Sequence, residues 1–150
     1  MQPGEVRETV LRDHVALRGL LSRVEALADR VAADETWRVR DLREAAESLL
    51  DTLARHMEWE DRHLAPVLRD ADAGGGERES QLHGDHAEQR VVLSHALERL
   101  HDEGRPAALV ARNLLDLVTL IREDMEDEEV SLLDSEAPRN TATGVDAEAD

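Results

Sequence analysis

The sequence predicts an all-α fold, an antiparallel up-down-up-down four-helix bundle built from two copies of a helix pair. Three observations predict it. Apolar residues recur at spacings of three and four along four long stretches. Aromatic residues are nearly absent, with Trp37 and Trp59 but no Phe or Tyr, so a sheet-based core would lack its usual side chains. Short turn segments separate the stretches, and short connections favour antiparallel neighbours.

Helix one is expected over residues 5–33, with Val6, Val10, Leu17, Leu21, Val24, Ala28 and Val31 on its apolar stripe. Asp34-Glu35-Thr36 would break it and cap the next helix. Helix two is expected over 37–69, carrying Leu42, Ala46, Leu49, Leu53, Leu64 and Leu68, with Pro66 kinking or ending it. Residues 70–76, closing on Gly74-Gly75-Gly76, read as a loop. Helix three is expected over 78–102, with Leu82, Leu93, Leu97 and Leu100; Gly104 stops it and Pro106 suits the next first turn. Helix four is expected over 106–133, with Val110, Leu114, Leu117, Ile121 and Leu132. The bundle domain thus spans 1–134, and the small, acidic, patternless residues 135–150 read as a disordered tail.

The two helix pairs repeat one another. Asp13-His14-x-x-x-Arg18-x-x-Leu21-Ser22 matches Asp85-His86-x-x-x-Arg90-x-x-Leu93-Ser94. His56-Met57-Glu58-x-Glu60-x-x-x-Leu64 matches Asp124-Met125-Glu126-x-Glu128-x-x-x-Leu132. Such a repeat implies a pseudo-twofold axis with two similar half-sites facing each other.

Composition excludes several functions. The 150 residues suit one domain. With no Cys there is no thiolate metal site, disulfide or cysteine nucleophile. All 18 basic residues are Arg, which removes the usual P-loop and Schiff-base lysines. A net charge of −17 repels phosphate backbones and anionic lipid, so neither nucleic acid nor membrane is an expected partner. With no bilayer-spanning run and no signal-like start, the expected location is cytoplasmic.

The informative signal is the phase of the polar residues. His14 sits on the apolar stripe of helix one, His56 and Glu60 on that of helix two, His86 on that of helix three, Asp124 and Glu128 on that of helix four. With antiparallel packing these side chains share one layer, ~12–20 Å from one end at ~1.5 Å per residue. Carboxylates buried there without partners would be costly or would protonate. Two divalent cations and a bridging hydroxide would balance Glu60, Glu128 and Asp124. His and carboxylate donors suit Fe, Mn or Zn. His83 would supply a further nitrogen, and His63 would line the pocket or relay protons. Arg18 and Arg90 read as salt-bridge partners of exposed acids, and His95 and His101 as surface residues.

The order His, His-x-x-x-Glu, His, x-x-x-Glu, with the segments RDHVALRGLL and RHMEWEDRHLAPVLRD, resembles the bacterial branch of the hemerythrin family, the HHE cation-binding domains. The resemblance covers roughly residues 5–134. It implies a bundle holding two non-haem iron ions bridged by two carboxylates and an oxo or hydroxo group. One iron would take His14 and His56, Glu60 and Glu128 would bridge, and the second would take His86. Where the family expects a fourth-helix His, this chain has Asp124, which implies a lower reduction potential and poorer reversible O2 binding. The implied partners are O2, peroxide or nitric oxide, bound or sensed, or turned over in catalase-like, peroxidase or oxidase chemistry. Asp124 also leaves open a helical interaction module with a degenerate or mononuclear metal site.

Overall fold

The structure, a computed structural model, describes residues 1–133. It is all-α, a bundle of four long helices, as the periodicity predicts. The tail expected over 135–150 and the burial of Leu132 lie outside the described residues.

Helix α1 spans Pro3–Ala32. Pro3 opens it, where a missing N–H costs nothing, and the Gln2 backbone N–H donates to the Glu5 carboxylate at 3.0 Å. Its whole predicted stripe is buried, His14 included. The chain turns at Asp34, which takes a positive φ of 79°, and passes through a 3-10 turn over Thr36–Arg38. Asp34-Glu35-Thr36 therefore breaks α1 as expected, but no side chain caps the 3-10 turn or the second long helix.

Helix α2 spans Val39–Ala71 and continues through Pro66, which does not end it. Helix α3 spans Gly75–Leu100, so the loop expected over 70–76 shrinks to 72–74. Gly75 explains the early start. A Cβ there would collide with the backbone carbonyls of Leu68 and Arg69, so only glycine lets α3 begin against the end of α2. Asp72 fastens the corner by accepting from the Gly74 N–H and from Arg78, each at 2.9 Å. Helix α4 spans Ala107–Glu128 behind Pro106, and its last turn widens into a π-turn over Glu129–Leu133.

Helix α1 packs along α2 and α4, and α2 along α3; α3 meets α4 only sparsely. The apolar side chains form two clusters. The larger runs from Leu17, Leu21 and Leu49 to Leu114 and Ile121. The smaller holds Val6, Val10, Leu64, Leu68 and Leu82. Along α1, α2 and α3 the residues between the two clusters are His14, His56, Glu60 and His86, all buried. A leucine of this kind stabilises by roughly 1.5–3 kcal/mol through burial, and a polar layer interrupting it forgoes that gain.

Candidate metal centre

Helical phase alone brings this layer together. His14 follows Val10 by one turn, His56 follows Leu53, and Glu60 lies one turn beyond His56 on the same face. Four of the predicted ligands, His14, His56, Glu60 and Glu128, each place one donor atom so that all lie within 4.8 Å of one another. His14 Nε2 stands 3.0 Å from Glu128 Oε1. The imidazoles of His14 and His56 meet edge to face, with centroids 5.1 Å apart.

His86 joins from the other side of Glu60. Its Nε2 lies 3.2 Å from Glu60 Oε1, the same oxygen that His56 Nε2 approaches at 3.2 Å. One buried carboxylate oxygen therefore sits between two histidines. Asp124 lines the same cavity but is half-buried and stands outside the four-residue group, with Oδ2 accepting from the Gln89 amide at 3.4 Å.

The remaining candidates are placed elsewhere. His83 is half-exposed, and its Nδ1 lies 3.5 Å from Asp61 rather than at the centre. His63 packs against Trp59, with ring centroids 4.6 Å apart. His101 pairs with Glu47 at 2.9 Å on the surface, and His95 is exposed.

A second set of carboxylates, not anticipated from the sequence, stands beside the outer nitrogens and hydrogen-bonds two of them. Asp13 Oδ2 lies 3.1 Å from His56 Nδ1, and Asp61 Oδ1 lies 2.7 Å from His86 Nδ1. Glu129 Oε1 lies 3.4 Å from His14 Nδ1. Two of the three are clamped in turn. Arg18 donates to both Glu129 oxygens at 3.0 and 2.6 Å, and Arg90 donates to Asp61 at 2.5 Å. A carboxylate on Nδ1 keeps the proton there and leaves Nε2 as a lone-pair donor. Where the π-turn begins, consecutive residues stand beside one imidazole, Glu128 at Nε2 and Glu129 at Nδ1. The repeat holds the signal: Asp61 follows Glu60 as Glu129 follows Glu128, and Arg90 stands to His86 as Arg18 to His14.

The protonation states derive from burial and neighbours. Burial opposes charge on His56, but Glu60 and Asp13 outweigh it and push its pKa up to about 9. His86 moves up too, as Glu60 and Asp61 overcome its burial. Glu60 is held well below the usual carboxylate range, because His56 and His86 outweigh its desolvation. Glu128 is pushed up to about 7 by burial and by the neighbouring Glu60, against the pull of His14. Asp124 also rises, through burial and the nearby Asp127 and Asp85. Asp61 and Glu129 both sit low; Arg90 and His86 overcome the burial of Asp61, and Arg18 leads for Glu129.

The donor set fits a divalent cation. Glu60 Oε2 is a buried polar atom without a hydrogen-bond partner among the described residues, and His14 Nδ1, His56 Nε2 and Glu128 Oε1 have only ion-pair neighbours at 3.0–3.4 Å that do not complete a hydrogen bond. Such orphans are rare in native cores unless something else satisfies them. Imidazole and carboxylate without thiolate are donors for Fe, Mn or Zn. Beside them a cavity of about 290 Å³ opens between α3 and α4, with Leu53, Met57, Leu93 and Ile121 on its apolar wall.

No curated protein and no solved structure matches the chain. Residues 6–134 match the family model of the hemerythrin HHE cation-binding domain, and the chain belongs to that family.

Proposed function

We propose that the protein holds two non-haem iron ions in this layer and uses them to bind or reduce a small molecule, O2, hydrogen peroxide or nitric oxide. The observation that carries the reading is Glu60 Oε1, approached at 3.2 Å by histidines from two different helices. A carboxylate placed between two imidazoles is suited to bridge two cations. Glu60 and Glu128 would bridge, with His14 and His56 on one ion and His86 and Asp124 on the other. Manganese or zinc would suit the same donors. When bound, iron supplies one-electron redox chemistry and an electrophilic centre.

The chain's own residues would do the rest. Asp13 and Asp61 hold the imidazoles of His56 and His86 with Nε2 facing inward, and Glu129 lies beside His14 Nδ1. The apolar wall of Leu53, Met57, Leu93 and Ile121 limits water at the inner face of the cavity. The cavity suits a small uncharged ligand reaching the layer from the α3–α4 side. A single-ion form is the second reading. It is favoured by the position of Asp124, outside the group formed by His14, His56, Glu60 and Glu128.

Metal per chain after anaerobic Fe(II) loading tests both, on the natural chain and on Glu60→Ala. Two ions, lost in the variant, support the bridged pair; one ion supports the single-ion form. No bound ion in a folded chain refutes both. Oxygen evolution from peroxide, absent in Glu60→Ala, would assign turnover rather than binding.

A further inference from the structure

The seam between α3 and α4 differs from the other sides of the polar layer. There α1 packs closely against α2 and α4, and α2 against α3. Toward one bundle end the layer is sealed by Val6, Val10, Leu64, Leu68 and Leu82, toward the other by the large apolar cluster. The cavity that reaches His14, His56, Glu60 and Glu128 is lined along the sparsely packed α3–α4 seam, by Asp85, Glu88 and Gln89 from one helix and Ile121, Asp124 and Asp127 from the other.

The wall of that cavity carries carboxylates at graded depth. Asp85, Glu88 and Asp127 are exposed at its rim, Asp124 is half-buried, and Glu60 on its floor is 1% exposed. None of the three rim carboxylates has an ion-pair partner among the described residues. Arginine is present elsewhere around the layer, where Arg18 clamps Glu129 and Arg90 clamps Asp61. The seam is thus left negative, whereas Glu129 and Asp61 are each paired with an arginine. At the inner end Glu60 Oε2 lines the cavity with no hydrogen-bond partner among the described residues, although Glu60 is almost wholly buried. A concave, single-sign path ending on an unsatisfied anionic oxygen concentrates cations at its mouth and repels anions.

We propose that this seam is the loading route for the divalent cation, and that Asp85, Glu88 and Asp127 form a docking station where the ion first exchanges water for carboxylate oxygen. The ion then passes Asp124 and arrives at Glu60. This inference rests on the reading of the layer as a metal centre. The rim carboxylates act on the rate of filling and not on the final occupancy.

Stopped-flow uptake of cobalt(II) by the metal-free full chain tests it, followed through cobalt d–d absorption at low and high ionic strength. Two triple variants raise the net charge equally: Asp85→Asn/Glu88→Gln/Asp127→Asn at the rim, and Glu8→Gln/Asp41→Asn/Glu98→Gln at positions outside the cavity. The rim variant is expected to load about tenfold more slowly or worse, with a flatter salt dependence and unchanged cobalt per chain. The remote variant is expected to load within about twofold of the natural chain. Equal slowing in both variants, or natural-rate loading in the rim variant, overturns the route. So does a lowered final occupancy in the rim variant, which would make these carboxylates ligands. Failure of the natural chain to take up cobalt at all refutes the metal centre itself, a different result from any of these.

Discussion

Filling the centre with a divalent cation should expel protons, at least those held by two residues. His56 carries a carboxylate on each ring nitrogen, Asp13 at 3.1 Å and Glu60 at 3.2 Å, and its pKa stands at about 9 despite burial. Glu128, buried beside Glu60, stands at about 7. Both must be deprotonated to ligate a cation. At pH 7 His56 is almost fully protonated and Glu128 half so, giving about 1.5 protons released per chain from these two groups. The number rises to about 2 at pH 6 and falls to about 1 at pH 8. Proton competition at His56 alone weakens the apparent affinity about a hundredfold at pH 7, since each unit of pKa above the pH is a factor of ten. Calorimetric titration with Mn(II) or Co(II), in buffers of different ionisation enthalpy, measures the release directly. Cation binding with no proton release at pH 7, or with a release that is flat from pH 6 to 8, would refute the protonation states derived from this geometry.

Three further outcomes are expected. Asp61→Asn removes the carboxylate from His86 Nδ1 and frees Arg90, so cation affinity should fall about 10–100-fold, read by competition with a chromophoric chelator. His83→Ala removes a half-exposed ring that stands 3.5 Å from the Asp61 oxygen His86 Nδ1 meets at 2.7 Å, and should leave that affinity within about twofold; equal losses would contradict the assignment. The metal-free fold should be most stable in mild acid. His56, raised to about 9, contributes fully below its ordinary 6.5 and loses this as pH rises through 9. Glu128, raised to about 7, acts in the same direction from its ordinary 4.5 upward, while Glu60, depressed by its histidines, loses its contribution in acid. Metal-free Tm should therefore peak near about pH 4.5–5 and decline toward pH 9, and a rise across pH 6–9 would exclude this account. Leu21→Ala, in the centre of the large cluster, should cost about 2–5 kcal/mol by urea denaturation.

Much of this is legible in the sequence because helices convert spacing into direction. The stripe of α1 is buried as the 3.6-residue period requires, and the same arithmetic places His14, His56, Glu60 and His86 inward. The features that spacing does not reveal depend on neighbours from other helices. Asp13 is turned about 100° away from His14 on its own helix, yet that angle aims it at His56 on α2. Arg18 and Arg90 do pair with acids, but those acids are the ones that hold His14 and His86. The loop expected over 70–76 is too long because a glycine run reads as flexible, whereas Gly75 is required by a close approach of two backbones. Pro66 removes one hydrogen bond from α2, and the helix continues past it to Ala71.

The repeat also gives Asp124 a meaning beyond a missing histidine. It maps Asp13 onto Asp85 and His56 onto Asp124. In the first copy the pair is a carboxylate against an imidazole, 3.1 Å apart and mutually stabilising. In the second copy a carboxylate answers a carboxylate, and burial and their acidic neighbours hold both Asp85 and Asp124 above the ordinary range. The two outer relays, Arg18–Glu129–His14 and Arg90–Asp61–His86, keep the symmetry that this pair breaks. One half of the layer can therefore satisfy its acids with an imidazolium of its own. The other half, facing the α3–α4 seam, has surplus negative charge, because its own cations, His86 and Arg90, are engaged with Glu60 and Asp61 rather than with Asp124. A substitution that merely decayed the centre would remove charge or donors from this side. Asp124 instead adds an anionic oxygen beside a cavity already rimmed by Asp85, Glu88 and Asp127, which increases the demand for a cation on the side open to solvent.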